Sequence, residues 1–268
     1  MISHLTTLAR ARAWAGVTTS NDDSAITSLI AEVSRFILNY LGKPTITSTH
    51  YTDVVDGQDN ATLLLRHWPV TSIVGISIND VGVSEAKSAN ASGFVLEPWD
   101  GMPAGFPQKL SLRGGCFTRG YSNVRITYNA GYALQDELRT VPITAPFIIT
   151  ANAPYGSFAI DEGVTYANGS ALTKVTSAPV QAQYAESAGV YTFSSLDVGA
   201  QLLLNYSYIP ADIEHACVAL VAERYRYRSR IGEISKSLGG QESMSYSQKD
   251  MPEFVRTLLQ PYRRVLPN

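Results

Sequence analysis

The chain has 268 residues and a formal charge of -2, and it is 45% hydrophobic but only 16% charged. That apolar share supports a real core and excludes wholesale disorder, while the balanced charge excludes a protein whose main task is to coat nucleic acid. The 15 Tyr and 20 Gly predict a strand-rich chain with much hydroxyl-bearing surface, of the kind that partners cover.

In chain order, residues 6–15 are Ala-rich and predict a short helix that Gly16 ends. Ser20-Asn21-Asp22-Asp23 then supplies a cap and first-turn acids. Ile26, Leu29, Ile30, Val33, Phe36, Ile37, Tyr40 and Leu41 recur at helical spacing, and Gly42 with Pro44 stops the run. From Thr45 the period changes to two. Strands are expected at 46–55, 61–65, 73–78, 94–97, 109–112 and 124–128, with turns at Asp56-Gly57, Asn79-Asp80, Arg113-Gly114-Gly115 and Arg119-Gly120.

A second β-rich block spans 139–208, with strands expected at 147–150, 163–166, 172–175, 190–193 and 202–208. From Thr140 to its end, Lys174 is its one basic residue, a shift in composition that predicts a separate sandwich of about 70 residues. Pro210 reopens helix, with Asp212 and Glu214 at the positive end of the dipole and Arg226, Arg228 and Arg230 at the negative end before Gly232. Residues 232–249 are polar and rich in Ser and Gly. Asp250-Met251-Pro252-Glu253 starts a last helix whose apolar side is Val255, Leu258, Leu259 and Tyr262.

Motifs for nucleotide, hydrolase and metalloprotease chemistry are absent: no GxxxxGK[ST], GxSxG, HExxH or GxGxxG occurs. His4, His50, His67 and His215 are scattered, and Asp53, Asp56 and Asp59 form only half a calcium loop, explained as well by hairpin chemistry. The expectation is a non-enzyme with no cofactor and no metal. Cys116 and Cys217 belong to no CxxC pair and are expected as reduced, buried thiols. No apolar run approaches the roughly 20 residues of a membrane span, and residues 1–7 lack the pattern of a signal peptide. Synthesis in the cytosol and no membrane partner are therefore expected.

The most informative cluster is Arg224-Tyr225-Arg226-Tyr227-Arg228-Ser229-Arg230. On a helix, Arg224 and Arg228 continue the stripe of Ile213, Cys217, Leu220 and Val221, while Arg226 and Arg230 project from roughly the opposite side. Three readings stay open. The run is a snorkelling, dipole-compatible surface, or an interface in which Arg224 and Arg228 meet carboxylates of a neighbouring subunit, or a contact to DNA phosphates.

Several segments together resemble a known family. They are Tyr40-Leu41-Gly42-Lys43-Pro44, Leu63-Leu64-Leu65-Arg66-His67-Trp68-Pro69-Val70-Thr71-Ser72-Ile73, Val124-Arg125-Ile126-Thr127-Tyr128-Asn129-Ala130-Gly131-Tyr132, Ile209-Pro210-Ala211-Asp212-Ile213, and Pro261-Tyr262-Arg263-Arg264. Their order resembles the head–tail connector (adaptor, or head-completion) proteins of tailed bacteriophages, over residues 1–132 and 209–268. In that family the Ala-Gly-Tyr strand end leads almost directly into the Pro-Ala-Asp helix. Here the two are separated by the β block, which itself resembles a small module of phage virion proteins through Gly163-Val164-Thr165-Tyr166-Ala167-Asn168-Gly169 and Ala188-Gly189-Val190-Tyr191-Thr192-Phe193.

The resemblance implies an α+β protein. A helical connector core with a small antiparallel sheet, residues 1–138 and 209–268, would carry an inserted all-β sandwich-like domain at 139–208 and a C-terminal arm at 232–268. It implies a structural virion protein that forms a ring, usually of about twelve copies, between the portal and the tail. Expected partners are other copies of the chain, the portal protein and a downstream neck or tail protein, with DNA enclosed but not read. The interface residues expected are Arg224, Tyr225, Arg226, Tyr227, Arg228, Arg230, Pro261, Tyr262, Arg263 and Arg264. An alternative makes the protein a phage surface or neck binding module, its inserted domain recognising a capsid, fibre or host-surface ligand.

Overall fold

A computed structural model describes residues 4–88, 90–97, 108–228 and 251–263, and the backbone of two further strands, Ser235–Leu238 and Glu242–Ser245. The chain is mixed α/β and mostly β, with several antiparallel sheets. It divides into a helical unit, Met1–Pro44 with Ala211–Arg263, and a β unit containing Thr45–Pro210.

The helical unit begins with α1 (Leu8–Ala15) and α2 (Asp23–Leu41). Both stop on a left-handed glycine, Gly16 at φ 74° and Gly42 at φ 65°, where the next N–H groups turn back onto the last carbonyls. Helix α3 (Ala211–Tyr227) packs against α1, α2 and the last helix, α4 (Glu253–Leu259). Covered on several sides, α3 buries Ala216, Val218 and Ala222 as well as the expected stripe of Ile213, Cys217, Leu220 and Val221.

Two expectations change at the C-terminal end. Helix α4 is not a free arm: Val255, Leu259 and Tyr262 are buried in this unit, and the Tyr262 hydroxyl donates to Asp212 at 3.0 Å. Its N-cap is Pro252, while the expected cap at Asp250 and the expected stop of α3 at Gly232 lie outside the described residues. Within the polar stretch 232–249, the two strands Ser235–Leu238 and Glu242–Ser245 form an antiparallel hairpin. Ser, Lys and Glu carry weak strand propensity and no apolar period, so nothing in the pattern announced it.

The β unit opens with β1 (Thr49–Gly57), β2 (Thr62–Leu64), β3 (Val70–Ile78), β4 (Val81–Val83), β5 (Gly93–Glu97), β6 (Lys109–Arg113) and β7 (Gly120–Ala130). They make two sheets, β1-β7-β3-β4 and β2-β6-β5, around a shared core of Leu65, Phe94, Leu110, Phe117, Val124, Ile126 and Tyr128. This is more sheet than the small one expected. Asn79 and Asp80, at φ 51° and 63°, form the tight turn of the β3–β4 hairpin.

The second half comprises β8 (Ala133–Thr140), β9 (Ile148–Thr150), β10 (Gly156–Tyr166), β11 (Thr173–Val175), β12 (Gln183–Ser187), β13 (Val190–Phe193) and β14 (Gln201–Pro210). Sheet β10-β14-β8 contributes Val164, Leu202, Leu204 and Tyr206 to a core that sheet β11-β12-β13-β9 completes with Tyr184, Tyr191, Phe193 and Ile149. Strand β8 carries Asp136, Glu137 and Arg139, so its pattern does not read as a strand; pairing along β14 holds it there. That ladder sets Thr140 opposite Gln201, so the chain leaves and returns at adjacent points.

Tyr121, Tyr155 and Tyr227 are exposed, but four other tyrosines lie beneath the surface. Tyr128, Tyr184, Tyr191 and Tyr206 turn their rings into the two cores and donate their hydroxyls to carboxylates. Tyr128 bonds Asp53 at 2.7 Å, Tyr184 and Tyr191 bond Asp161 at 2.9 and 3.1 Å, and Tyr206 bonds Glu137. Burial, reinforced by the facing carboxylates, raises the pKa of all four phenols, so they remain donors.

Candidate functional site

The sequence singles out the end of α3, and its geometry begins with the N-cap of α2. Asp22 makes no capping bond from its side chain. Its carboxylate instead accepts from both Arg228 Nη atoms, at 3.0 and 2.9 Å, and from the Tyr225 hydroxyl at 2.6 Å. The Arg228 guanidinium lies 4.2 Å above the Tyr225 ring and also donates to its hydroxyl at 3.1 Å. Arg228 first, and Tyr225 second, hold the Asp22 carboxyl down at about 2, and the pairing raises Arg228 in turn. The carboxylate that Arg228 meets here belongs to its own chain.

The neighbouring residues sort by the same geometry. Arg224 lies 5.0 Å from the centre of the Phe36 ring and is half-buried. Arg226 is exposed and reaches the Trp14 carbonyl at 3.5 Å. Tyr227 is exposed, and the Trp14 ring, 52% exposed, meets His215 edge-on at 5.1 Å. At the other end of the chain Pro261 sits in the turn Gln260–Tyr262, Tyr262 is tied to Asp212, and the Arg263 guanidinium lies 5.1 Å from the Tyr40 ring. Arg230 and Arg264 lie outside the described residues.

Six of the ten expected interface residues (Arg224, Tyr225, Arg226, Arg228, Tyr262 and Arg263) therefore touch other parts of the helical unit. Arg226 and Tyr227 are nonetheless exposed, and so are two other aromatics of this unit, Trp14 and Phe254. A lone Trp on a short Ala-rich helix was the available signal.

The remaining candidates serve local structure. Asp53 accepts from Tyr128, Asp56 from the Ser122 N–H at 2.6 Å and Asp59 from the Arg119 N–H at 2.8 Å, so the half calcium loop dissolves into separate bonds. His67 stacks on Tyr51 at 3.8 Å, and His50 pairs with Asn129 at 3.1 Å. Among the described residues no group of His, Cys, Asp and Glu is arranged to hold a metal, and no helix is long and apolar enough to cross a membrane. Cys116 and Cys217 are free thiols; Cys217 is buried and Cys116 half-buried. A cleft of about 500 Å³ in the β unit is lined by Tyr132, Tyr155, Tyr208, Pro69 and Glu85 among others, with no catalytic grouping in it.

A family profile described as "Head completion protein" matches residues 4–99 and 161–265, well over half of the chain. This chain belongs to the head completion protein family. The family is structural and is not an enzyme class, and the protein's role is that of a bacteriophage virion component at the head–tail junction. The match runs through 161–208 and omits 100–160, whereas the sequence motifs lie in 1–132 and 209–268.

Two solved structures are similar at low identity. One is titled "Neck of empty GTA particle computed with C6 symmetry", with 11% identity, TM-score 0.39, and coverage of 98% of this chain and 92% of that chain. The other is titled "Neck of native GTA particle computed with C12 symmetry", with 13% identity, TM-score 0.40, and coverage of 100% and 97%. No curated protein sequence matches the chain.

Proposed function

We infer that the protein closes into a ring of about twelve copies between the portal and the tail, extends the DNA channel without reading its sequence, and docks the next neck or tail component. Membership of the head completion family carries this reading. A closed ring uses two different faces per subunit, repeated around the axis. The outward Arg226 and Tyr227, beside Trp14, supply one polar–aromatic surface of the type that protein partners select. Because Arg224 and Arg228 have partners inside the chain, their role in this reading is to fix the helix end from which Arg226 and Tyr227 project.

The discontinuous organisation belongs to the same proposal. Residues 1–138 and 209–268 form the connector, and 139–208 is a module inserted into it. Adjacency of Thr140 and Gln201 on paired strands supports this, since an inserted module needs its ends close together.

Co-sedimentation with portal rings of the same phage tests the function. Wild-type chain is expected to pellet with portal as a ring visible by negative-stain microscopy. Arg226→Glu with Tyr227→Ala is expected to stay folded and lose most of that association. A wild-type chain that neither binds portal nor forms rings would overturn the reading.

A further inference from the structure

Strand β1 is the edge of its sheet, and its ladder is made with β7 alone among the described residues. Antiparallel geometry leaves about half of its N–H and C=O groups pointing away from that ladder. Open edges invite pairing with other chains, and proteins blunt them with short strands, charges, bulges or cover.

The other edges of the β unit carry these devices. Strands β2, β4, β9 and β11 are three residues long. The far side of β5 is covered by residues 84–86, whose backbone exchanges two 3.0 Å bonds with Phe94. Strand β8 has three charged residues, and β10 has two bulges. By contrast, β1 runs from Thr49 to Val55 in unbroken register, with its one shift at Gly57. It carries no Pro and no Lys, and Asp53 is turned inward to Tyr128. Its burial pattern leaves Thr49, His50, Thr52 and Val54 exposed, and its one exposed acid, Asp56, stands at the far end beside the shift.

The chain also contains the matching part. The strands β15 (Ser235–Leu238) and β16 (Glu242–Ser245) pair with each other and with no other strand among the described residues. A two-stranded hairpin alone is marginal in water, and a third strand or a packed face is what makes it persist.

We propose that the β15–β16 hairpin of one copy adds to the open β1 edge of a second copy. The contact rests on the ring reading above and names the joint that closes it. Each copy gives a hairpin and receives one, so the interface is heterologous and repeats until the ring closes. Strand addition draws its affinity from main-chain hydrogen bonds, which explains why a polar hairpin suffices.

Cross-linking between two separately substituted full-length chains tests this. One carries Thr52→Cys and the other Ser237→Cys, both with Cys116→Ser, and they are mixed, assembled on portal rings and treated with a short bis-maleimide. A dimer band is expected in the mixture and in neither chain alone. Rings that form without that band overturn the proposal. So does a doubly substituted chain that gives only an internally linked monomer, because the hairpin then covers its own β1. As a second measurement, Ser237→Pro with Ser243→Pro removes ladder donors while leaving both β cores untouched. At least a tenfold loss of closed rings is expected, with an unchanged circular dichroism spectrum; wild-type ring yield from this variant also overturns the proposal. A wild-type chain that never forms rings overturns the ring reading itself, and this joint with it.

Discussion

Arg228 holds both carboxylate oxygens of Asp22, at 3.0 and 2.9 Å, and so fastens the last turn of α3 to the first turn of α2. Asp22 is depressed from the ordinary 3.8 to about 2, so its stabilising contribution is complete above the unfolded value and is lost as pH falls from about 4 through 2. Asp22→Asn is therefore expected to speed amide hydrogen exchange at residues 225–228 by the same factor at neutral and alkaline pH. Unchanged exchange there would show that the pair does not hold the helix end.

Tyr128→Phe strands the buried Asp53 carboxylate. The expected loss is about 1–3 kcal/mol, read from urea denaturation. Tyr191→Phe should cost less, because Asp161 keeps Tyr184, Lys174 and the Gly163 N–H. Equal losses would contradict this account of the tyrosine–carboxylate pairs.

Gly131 sits at φ 145°, and a Cβ there would lie 2.4 Å from the Ser48 N and from the carbonyl of Thr47. Gly131→Ala is expected to lower the melting temperature sharply, backbone strain alone costing about 1–3 kcal/mol. Gly75→Ala, where a Cβ meets nothing within 4 Å, is the control and should be tolerated far better.

Burial pushes the Cys217 thiol up to about 12, whereas Cys116 is half-buried. A thiol-reactive dye at neutral pH is expected to label Cys116 alone in the folded chain, with Cys217 labelled only in denaturant. Labelling of Cys217 under native conditions would show that the α3 core opens.

The helices were legible because their signals are local. Apolar spacing and the glycines at 16 and 42 place α1 and α2 within a residue or two of where they stand. Strands β8 and β12 were not legible, since Asp136, Glu137 and Arg139 in one and Gln183 and Glu186 in the other break the period of two. A long-range ladder with β14 holds β8, and β12 is held by its hairpin with β13. At the candidate site, the sequence located the Arg and Tyr run but could not say which members face outward. That sorting depends on Asp22, Phe36 and Trp14, which lie about 200 residues away along the chain.

By itself the sequence determined that this is a charge-poor, β-rich chain bracketed by helices, and its ordered motifs pointed to the head–tail connectors. Those properties are written in composition, period and spacing. Only the tertiary structure decided that Tyr128, Tyr184, Tyr191 and Tyr206 pair with carboxylates beneath the surface, that α4 belongs to the helical unit, and that Arg228 is occupied within its own chain. Each depends on which distant residues meet across the fold, and a hydroxyl or guanidinium shows its role only once its partner's position is fixed.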